Sequence, residues 1–248
     1  VRKPKRLSAD ELAPYVWELP PHLRGRWGNP AEAAAGGGHQ PPGEAAGDRG
    51  ADAPRPPGVE PIDWAALFGN ANPVEVEVGF GKGLFLVTAG TRRPDRNFFG
   101  VEIIRKYQLY AATRVAGRGL RNVRTCCGDA KLVLREFVRP GSVAAVHVYF
   151  PDPWWKNRHR KRLLFTPEFA GFVLRALVPG GELHFVTDVA DYFAMVTGLL
   201  APVPGFDRLP PPDAHAPAHD MDYLTNFERK FRKEGRPIHR ALYRKREG

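Results

Sequence analysis

From about residue 73 to residue 200, short β-type runs alternate with helical stretches, and this alternation constrains the fold more than any other feature of the chain. Val74–Val78 reads as a strand, with helical material after the glycine turn Gly79–Gly83. Asn97–Glu102 is a second strand, followed by a helix over Arg105–Ala116. Val123–Cys127 is a third, followed by a helix over Lys131–Phe137, and Ala144–Tyr149 is a fourth. A helix over Pro167–Leu177 leads through the turn Pro179-Gly180-Gly181 to a fifth strand, Glu182–Thr187, and then to a helix over Tyr192–Leu200. Strands regularly interrupted by helices join through crossovers, which predicts a doubly wound, mostly parallel α/β sheet with helices on both faces. Such sheets bind ligands at the carboxyl ends of their strands. The chemically informative side chains of this chain fall at those ends.

The rest of the chain frames that unit. With 248 residues and 43% hydrophobic content, the chain can build one large α/β domain, expected over residues 59–248. Residues 1–30 read as a basic arm, with Arg2, Lys3, Lys5 and Arg6 ahead of a helix candidate at Ser8–Trp17. Ser8 followed by Glu11 has the form of a capping box. Residues 31–58 are Ala, Gly and Pro with scattered charges, too little apolar surface to offset ordering entropy, and predict a disordered linker or insertion. The formal net charge of +10 favours a polyanionic partner, whether RNA, DNA or an acidic membrane surface. No run of about 18 apolar residues is present, so nothing is expected to span a bilayer. The N-terminus has no apolar signal core, which points away from secretion. Cys126 and Cys127 are adjacent, a poor geometry for a disulfide, and no spaced Cys/His set suggests a metal. The expected setting is a reducing cytosol.

Glu77-Val78-Gly79-Phe80-Gly81-Lys82-Gly83 follows the first strand directly. Its third glycine comes two residues after the second, whereas a dinucleotide fingerprint has G-x-G-x-x-G. The shorter form resembles the turn of class I methyltransferases, which bind S-adenosylmethionine and have no pyrophosphate to hold. Glu102 ends the second strand, where a carboxylate accepts both ribose hydroxyls of an adenosine; this suits NAD and S-adenosylmethionine alike. Gly128-Asp129-Ala130 closes the third strand and puts an acid, or its neighbouring amide, at an adenine edge. Glu77 is placed to face the amino group of a methionine moiety. Any one of these acids is more often a helix cap or an exposed turn residue, but three at successive strand ends outweigh that reading. Glu75 points to the opposite strand face from Val74 and Val76 and has no role in this scheme.

The fourth strand runs into Tyr149-Phe150-Pro151-Asp152-Pro153-Trp154-Trp155, and five of the next seven residues, Lys156 to Arg162, are Lys or Arg. A carboxylate between prolines beside a dense cationic run suggests a reaction centre next to a polyanion, the alternative being a solvated basic loop. With these positions in place, the chain resembles the TrmB-type tRNA (guanine-N7)-methyltransferases from about Val74 to the C-terminus. Phe150-Pro151-Asp152-Pro153-Trp154 with its Lys/Arg run, Thr187-Asp188 and Thr225-Asn226-Phe227-Glu228 carry the resemblance. The chain departs from the family pattern at Trp155 and Val189 and in its Ala/Gly/Pro segment.

The resemblance implies a class I, Rossmann-like, seven-stranded sheet that binds S-adenosylmethionine through Glu77, Gly79, Glu102, Asp129 and Asp152. It implies Asp152 as the catalytic residue, and Lys156, Asp188, Thr225, Asn226, Phe227 and Glu228 as substrate contacts. The substrate it implies is tRNA, methylated at N7 of the variable-loop guanosine, position 46. That nitrogen carries a free in-plane lone pair, so no general base is required and Asp152 acts by position and charge. Asp188 and Glu228 are placed to accept from guanine N1–H and its exocyclic amine. Trp154 or Trp155 either stacks on an exposed base or anchors the loop in the core. Arg158, Arg160, Lys161 and Arg162 on one side, and Arg229, Lys230, Arg232 and Lys233 on the other, would track the RNA backbone. The competing readings are a methyltransferase with another substrate, a non-catalytic RNA-binding module and, least favoured, a nicotinamide oxidoreductase. A monomer and a homodimer are both compatible with the sequence.

Overall fold

The computed structural model describes residues 7–23, 59–153, 163–211 and 225–247. The expected linker over 31–58 and the segment from Trp154 to Arg162, with Lys156 in it, lie outside the described residues.

Eight strands form one sheet: β1 (Val16–Trp17), β2 (Val74–Val78), β3 (Asn97–Glu102), β4 (Val123–Cys127), β5 (Val143–Tyr149), β6 (Leu177–Thr187), β7 (Phe206–Leu209) and β8 (His239–Lys245). Their spatial order is β1-β4-β3-β2-β5-β6-β8-β7. Every pair from β1 to β6 is parallel, and β8 runs antiparallel to both β6 and β7. The chain winds outward from β2 in one direction through β3 and β4, then in the other through β5 and β6. The switch point therefore lies between β2 and β5, which is where such a sheet opens a ligand crevice.

The helices are α1 (Ala9–Leu12), α2 (Trp64–Phe68), α3 (Leu84–Arg92), α4 (Arg105–Ala116), α5 (Ala130–Leu132), α6 (Pro167–Ala176), α7 (Ala190–Leu200) and α8 (Asn226–Lys233). After α5 the helix widens into a π-type turn over Val133–Phe137. Val74, Val76 and Val78 join Phe99, Val101, Val146, Val148, Leu183 and Phe185 in one core. On the other sheet face, Phe80, Phe85, Leu86, Phe98, Tyr149 and Val186 form the second. All five residues of β2 are buried, glutamates included, as expected of a central parallel strand covered on both faces.

The doubly wound, mostly parallel sheet is the one expected, with an eighth strand supplied by the N-terminal segment. Ser8 and Glu11 do close a capping box, Glu11 N–H donating to Ser8 Oγ and Ser8 N–H to the Glu11 carboxylate. The helix expected over Ser8–Trp17 nevertheless stops at Leu12. Pro14 lacks an N–H and its ring blocks the preceding turn, so the chain tightens through Ala13–Tyr15 into β1. Val16 and Trp17 pair with Thr125 and Cys126, covering what would be the open edge of β4. A smaller difference lies at β6, which starts at Leu177. The register jumps from Val143–Leu177 to Ala145–Glu182, so Pro179-Gly180-Gly181 bows out as an irregularity within the strand.

Candidate active site

The loop from β2 to α3 is built on glycines in the left-handed region, Gly79 at φ +73°, Gly81 at +53° and Gly83 at +67°. A Cβ on Gly83 would lie 2.6 Å from Cβ of Ala111, so only glycine lets the loop seat against α4. A Cβ on Gly79 or Gly81 would meet nothing within 4 Å, so these two face open space. The loop is tied to the end of β3 by Glu102, whose Oε2 accepts from Gly81 N–H at 2.8 Å and whose Oε1 accepts from Ile104 N–H at 2.9 Å. Burial pushes the Glu102 carboxyl up, the N–H groups of Ile104, Gly81 and Ile103 oppose this, and the Asp152 charge adds to the rise.

Glu77 is only 2% exposed, and its Oε2 has no partner among the described residues. Burial first, and the neighbouring Glu102 second, hold its pKa well above the ordinary carboxylate value. A buried carboxyl without a donor is costly in isolation and suits a site that receives a cation. Asp129 caps α5, its Oδ1 accepting from Lys131 N–H at 2.8 Å, and Gly128 N–H donates to the Glu102 carbonyl at 3.0 Å. Glu77, Gly79, Glu102 and Asp129 are thus brought together along the carboxyl ends of β2, β3 and β4. The orphan oxygen on Glu77, the second lone pairs left on Glu102 and the open space at Gly79 and Gly81 fit the S-adenosylmethionine expected from the sequence.

Asp152 leaves the end of β5 and is exposed. Its negative charge reaches Tyr192, whose hydroxyl burial pushes up to about 12 with Asp152 adding to the shift. The turn toward it is made at Phe150, the sole non-glycine residue with positive φ (51°) among the described residues. A left-handed phenylalanine costs about 1–2 kcal/mol. Its N–H donates to the Val186 carbonyl at 2.7 Å, and its ring lies 5.5 Å from Phe231 and 6.2 Å from Phe227. These contacts offset the strain and join the Asp152 turn to α8.

The opposite wall is α8. Thr225 is its N-cap, accepting from Glu228 N–H at 3.0 Å. Glu228 is buried, its Oε1 accepting from Arg232 at 3.1 Å and from Arg240 at 2.5 Å. Asn226 opens the helix, and Phe227 stands 52% exposed. Asp188, at the end of β6, accepts from Arg236. Thr225 and Glu228, expected at the substrate, are thus also what caps α8 and ties it to β8.

No role for Glu75 follows from the sequence alone, and the structure supplies a structural one. Its carboxylate accepts from Arg93 at 2.8 Å and from His147 Nε2 at 2.8 Å, while His147 Nδ1 lies 2.8 Å from the Tyr149 hydroxyl. Burial pushes the Glu75 carboxyl up, but His147 and Arg93 carry it below its ordinary value. Burial also holds His147 below its ordinary value despite Glu75. The consistent assignment is an ionised Glu75, a neutral His147 protonated on Nε2, and a Tyr149 hydroxyl donating to Nδ1. Phe85 covers both rings, and His184 stacks on His147 with centroids 4.8 Å apart. The available signal was the two-residue period that puts Glu75 on the same face as Glu77. Among the described residues, no side-chain cluster could hold a metal ion, and no helix is long and apolar enough to cross a membrane.

A family model described as "Putative methyltransferase" matches residues 71–241. A protein of Rhodopirellula baltica named tRNA (guanine-N(7)-)-methyltransferase is 46% identical over 191 residues, spanning 75% of this chain and 70% of the relative. Proteins of the same name from Syntrophotalea carbinolica and Geobacter metallireducens are 39% and 37% identical. Both alignments span 75% of this chain, with 80% and 88% of the relatives.

Proposed function

The chain belongs to the tRNA (guanine-N7)-methyltransferase family, whose methyl donor is S-adenosylmethionine, and on that premise we propose that it methylates N7 of the variable-loop guanosine, position 46, of tRNA. The observation that carries the reading is the unpartnered, buried Glu77 oxygen beside Glu102 and an open glycine loop, at the switch point from which Asp152 emerges. Glu77 takes the ammonium of the methionine moiety, Glu102 the ribose hydroxyls, and Asp129 the adenine edge, with Gly79 leaving room for close approach. When bound, the cofactor supplies a methyl group on a cationic sulfur, which passes to the N7 lone pair while the sulfur keeps the bonding pair.

The remaining steps fall to side chains. No proton has to leave N7, so Asp152 acts as an anion beside a base that becomes cationic, stabilising charge that develops in the transition state. Its place at the end of β5, within electrostatic reach of Glu102 and Tyr192, supports this role. Asp188 and exposed Phe227 face the base. Thr225 and Glu228 hold α8 in position for them, and Lys156 and Asn226 complete the RNA contacts. Capped helix geometry supports that division, because Glu228 already serves two arginines.

The test is methyl transfer from labelled S-adenosylmethionine to unmodified tRNA, with the product mapped by cleavage at 7-methylguanosine. Label is expected at one variable-loop guanosine. Asp152→Ala is expected to lower transfer by about 100-fold or more, in the range seen when one transition-state partner is removed. Label at another position would overturn the assignment of the base, and tRNA binding without transfer would favour a binding module instead.

A further inference from the structure

Gly235, at φ +65°, turns the chain out of α8 and delivers Arg236 to the rim of the cleft. The Arg236 guanidinium lies 4.1 Å from the centroid of the Phe231 ring and donates to Oδ2 of Asp188. Phe231 in turn packs on exposed Phe227 at 5.9 Å and on Phe150, two residues before Asp152, at 5.5 Å. One guanidinium face is fixed by an aromatic ring and one N–H by a carboxylate, yet the side chain stays 43% exposed while that of Asp188 is only 11% exposed. Glu234 stands 3.9 Å away, beyond direct hydrogen-bonding distance. The neighbouring Arg232 and Arg240 differ, since both turn inward to Glu228 with side chains 25% and 14% exposed. Arg236 is therefore a held cationic fork, half open to solvent, beside the aromatic stack that leads to Asp152.

Resting on the reading of this cleft as a tRNA methyltransferase site, we propose that Arg236 binds a backbone phosphate next to the target guanosine, with Phe231 and Asp188 fixing its orientation. A planar guanidinium suits two phosphate oxygens at once. The base edge is the poorer target: an arginine on N7 would occupy the nucleophilic lone pair, and its charge would oppose the cationic product. Asp188 then has two tasks, accepting from the guanine with one oxygen and holding Arg236 with the other.

The experiment measures tRNA affinity against salt for the full chain and for Arg236→Gln and Arg236→Lys, with melting temperature as a check on folding. Each phosphate contact contributes about 0.7–0.9 to the slope of log affinity against log salt. Arg236→Gln is expected to bind about tenfold more weakly and to lose that much slope. Arg236→Lys keeps the charge without the fork, so it should recover the slope and only part of the affinity. Equal weakening in both variants at an unchanged slope would overturn the proposal and leave Arg236 as a pin between α8 and β6, as would unchanged affinity in both. A wild-type protein that binds tRNA without transferring methyl would sink the reading of the site but not the phosphate contact, which the slope still reports.

Discussion

Replacing Glu77 by glutamine separates two consequences of one buried carboxyl. Burial and Glu102 hold its pKa well above 4.5, so the folded chain keeps a proton that the unfolded chain has released. A raised folded-state pKa gives a stabilising contribution that is full below the unfolded value and is lost as pH rises through the folded value. Within that window each pH unit removes about 1.4 kcal/mol, or about 3–6 °C of melting temperature for a chain of this length. Glutamine has the same shape and cannot ionise, so Glu77→Gln should flatten the fall in Tm with pH and converge on the wild type in acid. Cofactor binding moves in the opposite sense. An ionised Glu77 facing an ammonium is a charge-assisted bond of about 1.5–3 kcal/mol, so the variant should bind S-adenosylmethionine about 10–100-fold more weakly. Wild-type binding should release a proton in the same window and tighten by up to about tenfold per pH unit. Thermal unfolding across pH and calorimetry in buffers of different ionisation enthalpy read both effects. Parallel Tm curves, or equal cofactor affinity with no proton released, would refute the reasoning.

Two further substitutions probe the scaffold that holds the site. His147→Leu leaves Glu75 buried without one of its partners and should cost about 3–5 kcal/mol in chemical denaturation, whereas the double variant with Glu75→Leu should recover much of it. An equal or larger loss in the double variant would show that the pair contributes more than satisfying the buried carboxylate with a donor. Gly83→Ala combines a positive φ with a Cβ 2.6 Å from Ala111 and should cost about 2–5 kcal/mol. Adding Ala111→Gly should relieve the clash but not the backbone strain, so full recovery would place the whole cost in packing.

What the sequence disclosed and what it withheld differ in range along the chain. The five parallel strands and their terminal acids were legible because each signal is local: a β-type run, a glycine, an acid where the run ends. β1 was not, since two residues after a proline carry no period, and the reason they extend lies over 100 residues away at the open edge of β4. The same holds for Glu75, whose partner His147 is 72 residues distant. Two-residue periodicity placed it beside Glu77, but only the β2–β5 register brings an imidazole N–H to its carboxylate.

Thr225–Glu228 presents a different difficulty, because one string of residues satisfies two physical demands at once. Threonine followed three residues later by glutamate is what the start of a helix asks for, and Thr225 serves as that cap. The same spacing buries Glu228 against Arg232 and Arg240, which ties α8 to β8 and sets Phe227, Phe231 and Arg236 along the cleft. A motif read as substrate contact and a motif read as helix start are therefore compatible, since the contacts depend on where the helix is held. Losing the Glu228 carboxylate would free two half-buried arginines and release the wall carrying Phe227, so it should impair RNA recognition even if Glu228 never touches the base. Arg236→Gln leaves that anchoring intact and changes the rim alone, and this is why the two positions separate a displaced wall from a lost contact.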